Sequence, residues 1–504
     1  MAETILAIFA VAIIAMATFY YYFVRPMYYW RKRGVPQETP KWMFGDNFRN
    51  VMGLESIPII MDNIYKKVNA RYHGFYQFTR PTLLIKDPEL LKQVMVKYFD
   101  HFTDRRKFLS EEVDPLWGRN MVELTGDKWR NLRAATTPIF TSGRMKILFQ
   151  TILNVTETFV EFFSKKDEAV IELDIKETMN HYCSDIIASI AFGVTVDSMR
   201  NPDDEFYLMS KEATNIHSTR AKIAFFSSLL LPDYVMKFLG IKMFSTRVSK
   251  FFTEVLNESI KMRREGKTAR TDLIQILLDT NKDGREIRNE DILAQAMLYI
   301  SGGFETISGV LVFMCYELAM NKNIQETLRK EILEVNKSNN GKLTYSCILE
   351  MKYMDMVFSE SLRIHPVISG FERTCTETYT IEPATIDEPP LVIEKGILVW
   401  IPLYSLHHDP EYFENPYKFD PERFNDENKN KIEPYQYMPF GMGPRNCPSI
   451  RFGMITVKTL IFYLLLNFEI SPTDRTPNPI RYRKKSMFLA PEKRIFFNMT
   501  KLHT

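Results

Sequence analysis

The sequence predicts one large, mainly helical domain behind an N-terminal transmembrane helix, and three observations predict it. Residues 4–24 are 21 residues without a charge. Beyond them, apolar side chains recur at helical spacing over most of the chain. Only two short stretches, near 74–86 and 391–400, read as extended, so sheet is a minor component.

The N-terminal run justifies the first element. Rich in Ile, Ala, Phe, Val and Tyr, it reaches roughly 31 Å as a helix, the thickness of a bilayer's hydrocarbon core. It ends on Tyr20, Tyr21, Tyr22 and Phe23, which suit an interfacial aromatic belt. A cleavable signal peptide would start basic, run shorter and close on small residues. Arg25, Arg31, Lys32 and Arg33 follow the run, and no Lys or Arg precedes it. The positive-inside rule then places the short N-terminus outside the cytosol and the rest of the chain inside. A buried core helix would not need this asymmetry. Residues 1–24 are therefore expected as an anchor, 25–40 as a stiff basic linker marked by Pro36 and Pro40, and 41–504 as the main domain.

Within that domain the spacing predicts helices over 87–98, 127–134, 143–165, 172–193, 205–218, 250–265, 290–320 and 322–336. Asn339-Asn340-Gly341 and Asp283-Gly284 read as turns. Residues 221–245 are unusually apolar. They read as core, with a second membrane-dipping patch as the alternative. No repeat or shift in composition marks a further boundary.

Composition narrows the function. Sixty-five Lys and Arg nearly balance 62 Asp and Glu, and a formal +3 is no electrostatic footprint for nucleic acid. Five cysteines, at 183, 315, 347, 375 and 447, include no CxxC pair, which excludes zinc ribbons and two-thiol redox motifs. Isolated thiols fit a cytosolic setting.

The chemistry concentrates at Pro439-Phe-Gly-Met-Gly-Pro-Arg-Asn-Cys447. A cysteine after a glycine-rich loop and before an apolar helix, 450–466, lies near a helix N-terminus that favours thiolate over thiol. Such a thiolate can be the axial ligand of haem iron. Gly441 and Gly443 would let the backbone pass under a flat macrocycle, and Arg445 could reach a propionate. The bland alternative is a turn with an inert buried cysteine. Upstream, Glu360-Ser-Leu-Arg363 puts opposite charges on one helix face, and Arg423 of Phe419-Asp-Pro-Glu-Arg-Phe could complete a buried lock with them. Gly302-Gly303-Phe304-Glu305-Thr306 interrupts a long apolar helix. Two mid-helix glycines cost about 1 kcal/mol each against Ala, so they call for a reason: room for a ligand, or close helix packing. Trp129 and Arg133 lie one helical turn apart.

In order and spacing these motifs resemble those of the microsomal cytochrome P450 family. Phe99-Asp-His-Phe102, Asp114-Pro-Leu-Trp-Gly118 and Phe419-Asp-Pro-Glu-Arg-Phe424 are similar to insect P450s of the xenobiotic-metabolising clan, clan three. The resemblance implies the P450 fold, a large helical domain with small β-sheets. It implies b-type haem ligated by Cys447, with propionates held by Trp129, Arg133, Arg373 and Arg445, and by Arg105 from an Arg-Arg-x-Phe match. It implies a monooxygenase that inserts one atom of dioxygen into lipophilic xenobiotics or endogenous lipophiles. Electrons would come from NADPH through a membrane-bound cytochrome P450 reductase, with cytochrome b5 a further candidate donor. The protein would sit in the endoplasmic reticulum membrane with its catalytic domain in the cytosol. Thr306 would hold a water and assist O–O cleavage, Glu305 would supply protons, and Leu298, Ser301, Phe304 and the 367–371 segment would face substrate.

One departure stands out. The family usually places an apolar residue and then glycine after the cysteine, whereas this chain has Pro448 and Ser449. Proline removes one N–H near the sulfur and serine adds a side chain against the macrocycle. A haem-thiolate protein that binds ligands without turnover therefore stays open beside the monooxygenase. The Glu305–Thr306 pair speaks for the enzyme, because a mere binder needs no proton relay.

Overall fold

The computed structural model describes residues 2–216, 218–266, 272–282, 288–486 and 488–502. The chain opens with helix α1 (Ala2–Phe19), extended by a wider turn over Tyr20–Val24. Residues 3–28 are long and apolar enough to cross a membrane, and the span is not buried against the protein. The segment 25–40 differs from the expected linker. Trp30 is fully buried, and Met27 and Val35 are nearly so. The Trp30 indole N–H donates to the Phe75 carbonyl at 3.3 Å. Its ring lies so close to Gly74 that a Cβ there would collide with it. Proline spacing signals stiffness but says nothing about a tryptophan six residues earlier, which drives the segment onto the sheet.

That sheet is built from a hairpin and two later strands. β1 (Tyr72–Gln77) pairs antiparallel with β2 (Arg80–Ile85), Tyr72 opposite Ile85 and Gln77 opposite Arg80. Helices α2 (Gly126–Thr136) and α3 (Ser142–Ser164) follow. Residues 170–174, partly inside the helix expected over 172–193, instead form strand β3 (Val170–Asp174), and helix α4 (Ile175–Ile187) starts only after it. Exposed Val170, buried Ile171 and exposed Glu172 show the two-residue period that marks this strand. The helix expected over 205–218 ends at Ala213. Two shorter helices, α5 (Thr219–Leu230) and α6 (Asp233–Phe238), cover the apolar 221–245 stretch. It is not simply core. Ala221, Ala224 and Met236 are buried, but Ile223, Phe226, Leu230, Tyr234, Phe238 and Leu239 are exposed.

The longest element, α7 (Asn289–Met320), runs through the middle of the molecule along α4. After it come α8 (Lys352–Ile364), β4 (Phe371–Thr374), the hairpin β5 (Tyr379–Ile381) and β6 (Leu391–Ile393), and β7 (Leu398–Ile401). The first sheet has the order β1-β2-β7-β4, with β2 and β7 parallel. Helix α9 (Ile450–Asn467) precedes β8 (Phe468–Pro472) and β9 (Phe496–Lys501), which complete a second sheet of order β3-β9-β8. Helices α7 and α9 are also apolar enough to span a membrane, yet most of each is buried, so they are core helices. The Asn339–Gly341 turn is present, with Asn340 and Gly341 both at positive φ. The expected Asp283-Gly284 turn lies outside the described residues.

The lock expected from Glu360, Arg363 and Arg423 exists. Arg363 Nε and Nη2 donate to the two Glu360 oxygens at 2.7 and 2.8 Å, and neither side chain is exposed. Arg423 Nε lies 3.4 Å from the same carboxylate, and the Asp420 N–H donates to it at 2.9 Å. Arg363 also donates to the His407 carbonyl at 2.7 Å, tying α8 to the segment that leads into the cysteine loop. Pairing a buried charge this fully matters, because breaking such a pair typically costs 3–5 kcal/mol.

Trp30→Ala is expected to destabilise the protein by about 3–5 kcal/mol, as for a large core side chain. Trp42→Ala, at an exposed ring, should stay within about 0.5 kcal/mol. Thermal unfolding of the two variants checks this. Deleting residues 1–24 should leave the fold intact and release the protein from phospholipid vesicles only in part, because the exposed face of α5 and α6 remains. Complete release in a flotation assay would contradict that face's role.

Candidate active site

Cys447 lies three residues before the start of α9, with Ser449 as the N-cap residue. Its N–H donates to the Phe440 carbonyl at 2.9 Å, and the Asn446 N–H donates to Gly443 at 3.1 Å, so the preceding loop folds back on itself. Gly441 and Gly443 both have φ near +70°. Their role differs from the one expected. At Gly443 a Cβ would strike the Met95 carbonyl, while at Gly441 it would make only ordinary contact with Phe371. The loop needs glycine for its left-handed backbone and for Met95, whatever lies beneath it.

Cys447 lines a cavity of about 340 Å3 between α7 and the cysteine loop. Of the five cysteines, Cys447 alone is in its wall. Burial pushes the Cys183 thiol up, and Cys315 and Cys375 to about 12 and 11, so these stay protonated and inert. Cys347 is bonded to Thr344 Oγ1 at 2.8 Å on another helix. Beside Cys447 the Ser449 hydroxyl sits 3.5 Å from Sγ.

One edge of the cavity is crowded with cations. Arg105, Arg133 and Arg445 line it, with Trp129. Arg373 of β4 is completely buried, and neither its Nε nor either Nη meets a hydrogen-bond partner. Burial, then repulsion from Arg105 and Arg445, holds its guanidinium well below the usual range. Burial, then Arg105, brings Arg445 down to about 9, with Asp104 acting the other way. Guanidinium groups stay protonated near neutral pH, so a cluster this buried and this rich in like charge favours an anionic partner. Arg445 is the best satisfied of the four. It donates to the Thr103 and Leu124 carbonyls at 2.8 Å each, pairs with Asp104 at 3.4 Å, and stacks over Trp129 at 4.1 Å. Arg133 donates to Asn446 Oδ1 at 2.7 Å, and Arg105 to the Arg445 carbonyl at 3.3 Å. Asn446 and Asp104 were not foreseen from sequence, and nothing in their immediate neighbours points to these roles.

The opposite wall is α7. Leu298, Gly302, Thr306 and Val310 line it at four-residue steps, joined by Tyr299, Gly303 and Ile307. The Thr306 hydroxyl donates to the Gly302 carbonyl. The two glycines split the explanations offered for them. A Cβ at 302 would enter open space, whereas one at 303 would press on Ile187 Cδ1 at 2.9 Å. Leu298 and the 367–371 segment, through Val367, Ile368 and Phe371, reach the cavity as expected. Ser301 and Phe304 do not. Ser301 donates to the Met297 carbonyl at 3.0 Å, and Phe304 is buried in the helical core. At about 100° per residue, positions two before and five before Thr306 turn away from its face. Glu305 is also outside the wall. It pairs with Lys176 of α4 at 3.0 Å, and that ammonium donates to Ser308 Oγ at 2.7 Å.

A family model described as Cytochrome P450 matches residues 35–499. The chain is 35% identical to cytochrome P450 9e2 of Blattella germanica, over 94% of this chain and 92% of that protein. It is 34% identical to cytochrome P450 6k1 of the same insect, covering 96% and 95%. A probable cytochrome P450 6a13 of Drosophila melanogaster is 35% identical over 94% of each. A half-buried, thiol-bearing loop on a cation-rich, mostly apolar cavity fits a haem-thiolate protein, and the chain belongs to the cytochrome P450 family. The family carries haem iron on a cysteine thiolate and works as a monooxygenase with a redox partner. The residues present fit that group, since a dianionic macrocycle edge would answer the unpartnered Arg373 and its neighbours. Expected fold, family and cofactor are borne out.

Arg373→Met keeps an unbranched stem and removes the guanidinium charge. A charged hydrogen bond is worth about 1.5–3 kcal/mol, so haem should leave at least about tenfold faster. Transfer of haem to an excess acceptor globin measures this, and an unchanged rate would contradict the assignment.

Proposed function

We propose that the protein is a membrane-anchored monooxygenase of neutral lipophilic molecules, with Cys447 as the thiolate ligand of its haem iron. The observation that carries this reading is the pairing of two features across one cavity: the sole wall cysteine, and a guanidinium cluster short of anions. Trp129, Arg105, Arg133 and Arg445 would hold the propionate edge from the cavity wall, joined by Arg373, which is buried outside that lining with its donors uncommitted. Residues 1–24 are the anchor. The unit from residue 25 onward, including the packed Trp30 segment, is the catalytic domain on the cytosolic side of the endoplasmic reticulum. Electrons come from NADPH through cytochrome P450 reductase, with cytochrome b5 as a second donor.

When bound, haem supplies dioxygen activation and transfer of one oxygen atom to substrate. The chain's own residues supply placement and protons. The groove opened at Gly302 leaves space beside the Thr306 hydroxyl for a water, which can pass a proton into the cavity. Glu305 stands around the helix from that hydroxyl, so it acts as a reservoir on the Lys176 side rather than as a group touching dioxygen. Away from the propionate-edge arginines and the cysteine loop the wall is mostly apolar, with Leu298, Val310, Val367, Ile368 and Leu403. A charged substrate would lose its hydration there without a partner, so uncharged lipophiles are favoured.

Cys447→Ser should abolish the reduced-CO band of thiolate ligation, because an alcohol donates far less charge to iron. Alanine at Cys183, Cys315, Cys347 or Cys375 should leave the band in place. A band that survives Cys447→Ser would sink the ligand assignment. Thr306→Ala should uncouple turnover: NADPH consumption continues, product per NADPH falls, and hydrogen peroxide rises to match. Unchanged coupling would mean that another group delivers the proton. A wild-type protein that binds lipophilic probes yet consumes no NADPH with reductase would favour ligand binding without turnover.

A further inference from the structure

We propose that Ser449 supplies, through its side-chain hydroxyl, the hydrogen bond to the Cys447 sulfur that Pro448 withdraws from the backbone, and thereby sets the iron's reduction potential. The proposal rests on Cys447 being the haem ligand. Proline has no N–H, so the residue directly after the cysteine cannot donate to the sulfur. One residue on, Ser449 is the N-cap of α9. A serine there ordinarily turns its oxygen inward to accept an N–H from the first turn. Here it makes no such cap bond, and its hydroxyl stands 3.5 Å from Cys447 Sγ. Both residues line the same cavity as the sulfur.

Chemistry fixes the direction of the bond. A ligating thiolate carries no proton, so the hydroxyl is the donor and the sulfur the acceptor. Charge drawn off the sulfur weakens its donation to iron, stabilises the reduced metal more than the oxidised one, and raises the potential. Pro448 and Ser449 therefore act in opposite directions: the first removes a donor and lowers the potential, the second restores one and raises it. Ser449 is a positioning residue, acting on iron only through the cysteine. The pair exchanges a backbone donor for a side-chain donor.

The test is a redox titration of full-length haem-loaded protein, with reduced-CO spectrum and haem content recorded for every variant. Ser449→Ala should lower the potential, and Ser449→Thr, which keeps the hydroxyl, should hold it near wild type. Pro448→Ile should raise it, and Pro448→Ile combined with Ser449→Ala should fall between the two single variants. If Ser449→Ala retains too little haem to titrate, Ser449→Gly reads the same shift without added bulk. An unchanged or higher potential in Ser449→Ala or Ser449→Gly, with the thiolate band intact, overturns the proposal. Loss of haem without a shift in potential would show a purely structural serine and overturn it equally. A wild-type spectrum without the thiolate band would instead overturn the ligand assignment beneath it.

Discussion

Arg373 is fully buried, and its guanidinium meets no acceptor in the protein. Arg105 and Arg445, which line the cavity, press on it with like charge. Leaving one buried charge unpaired typically costs 3–5 kcal/mol, against a total stability of about 5–15 kcal/mol for a folded protein. A chain cannot carry such a debt as a resting arrangement. The anionic edge of a haem, present only in the folded state, answers the charge and adds its binding free energy to stability. On this view the cofactor is a structural part of the domain as much as a reagent.

The remaining framework can be read as holding the two poles of that site apart. At one pole, the loop before α9 places Cys447 in the cavity wall. At the other, β4 carries Arg373 and the 103–124 segment is tied to Arg445. The buried Glu360–Arg363–Arg423 lock fixes α8 and, through the His407 carbonyl, the approach to the cysteine loop. Helix α7 closes the top, open at Gly302 and tightly packed at Gly303. Each device removes freedom from a group that must meet a rigid, planar partner.

Much of this was legible in the sequence. Strong helical periodicity announced the long helices. The Glu360–Arg363 pair read correctly because a carboxylate and a guanidinium at i and i+3 share a face wherever the helix lies. Other features needed tertiary information. Trp30 belongs to the sheet through contact with Gly74, which no local pattern encodes. Strand β3 exists because β9, more than 320 residues later, pairs with it. Phe304 and Ser301 were misplaced for a simpler reason. Once Thr306 is set on the cavity, steps of four along the helix give Gly302 and Leu298, and both misplaced residues fall elsewhere. Glu305 could not have been paired with Lys176 from sequence, since that contact depends on how α4 crosses α7.

If the arginine cluster requires the cofactor's carboxylates, uptake of haem must depend on their charge. Haem-depleted protein is titrated with haemin and, separately, with haemin dimethyl ester, and Soret absorbance follows uptake of each. The two share the iron and the macrocycle and differ only in the charge of the propionate edge. Haemin should be taken up tightly and the ester at least about tenfold more weakly, the cost of losing one charged hydrogen bond. Equal affinity for the two would contradict it, because the arginines would then be answering some other anion.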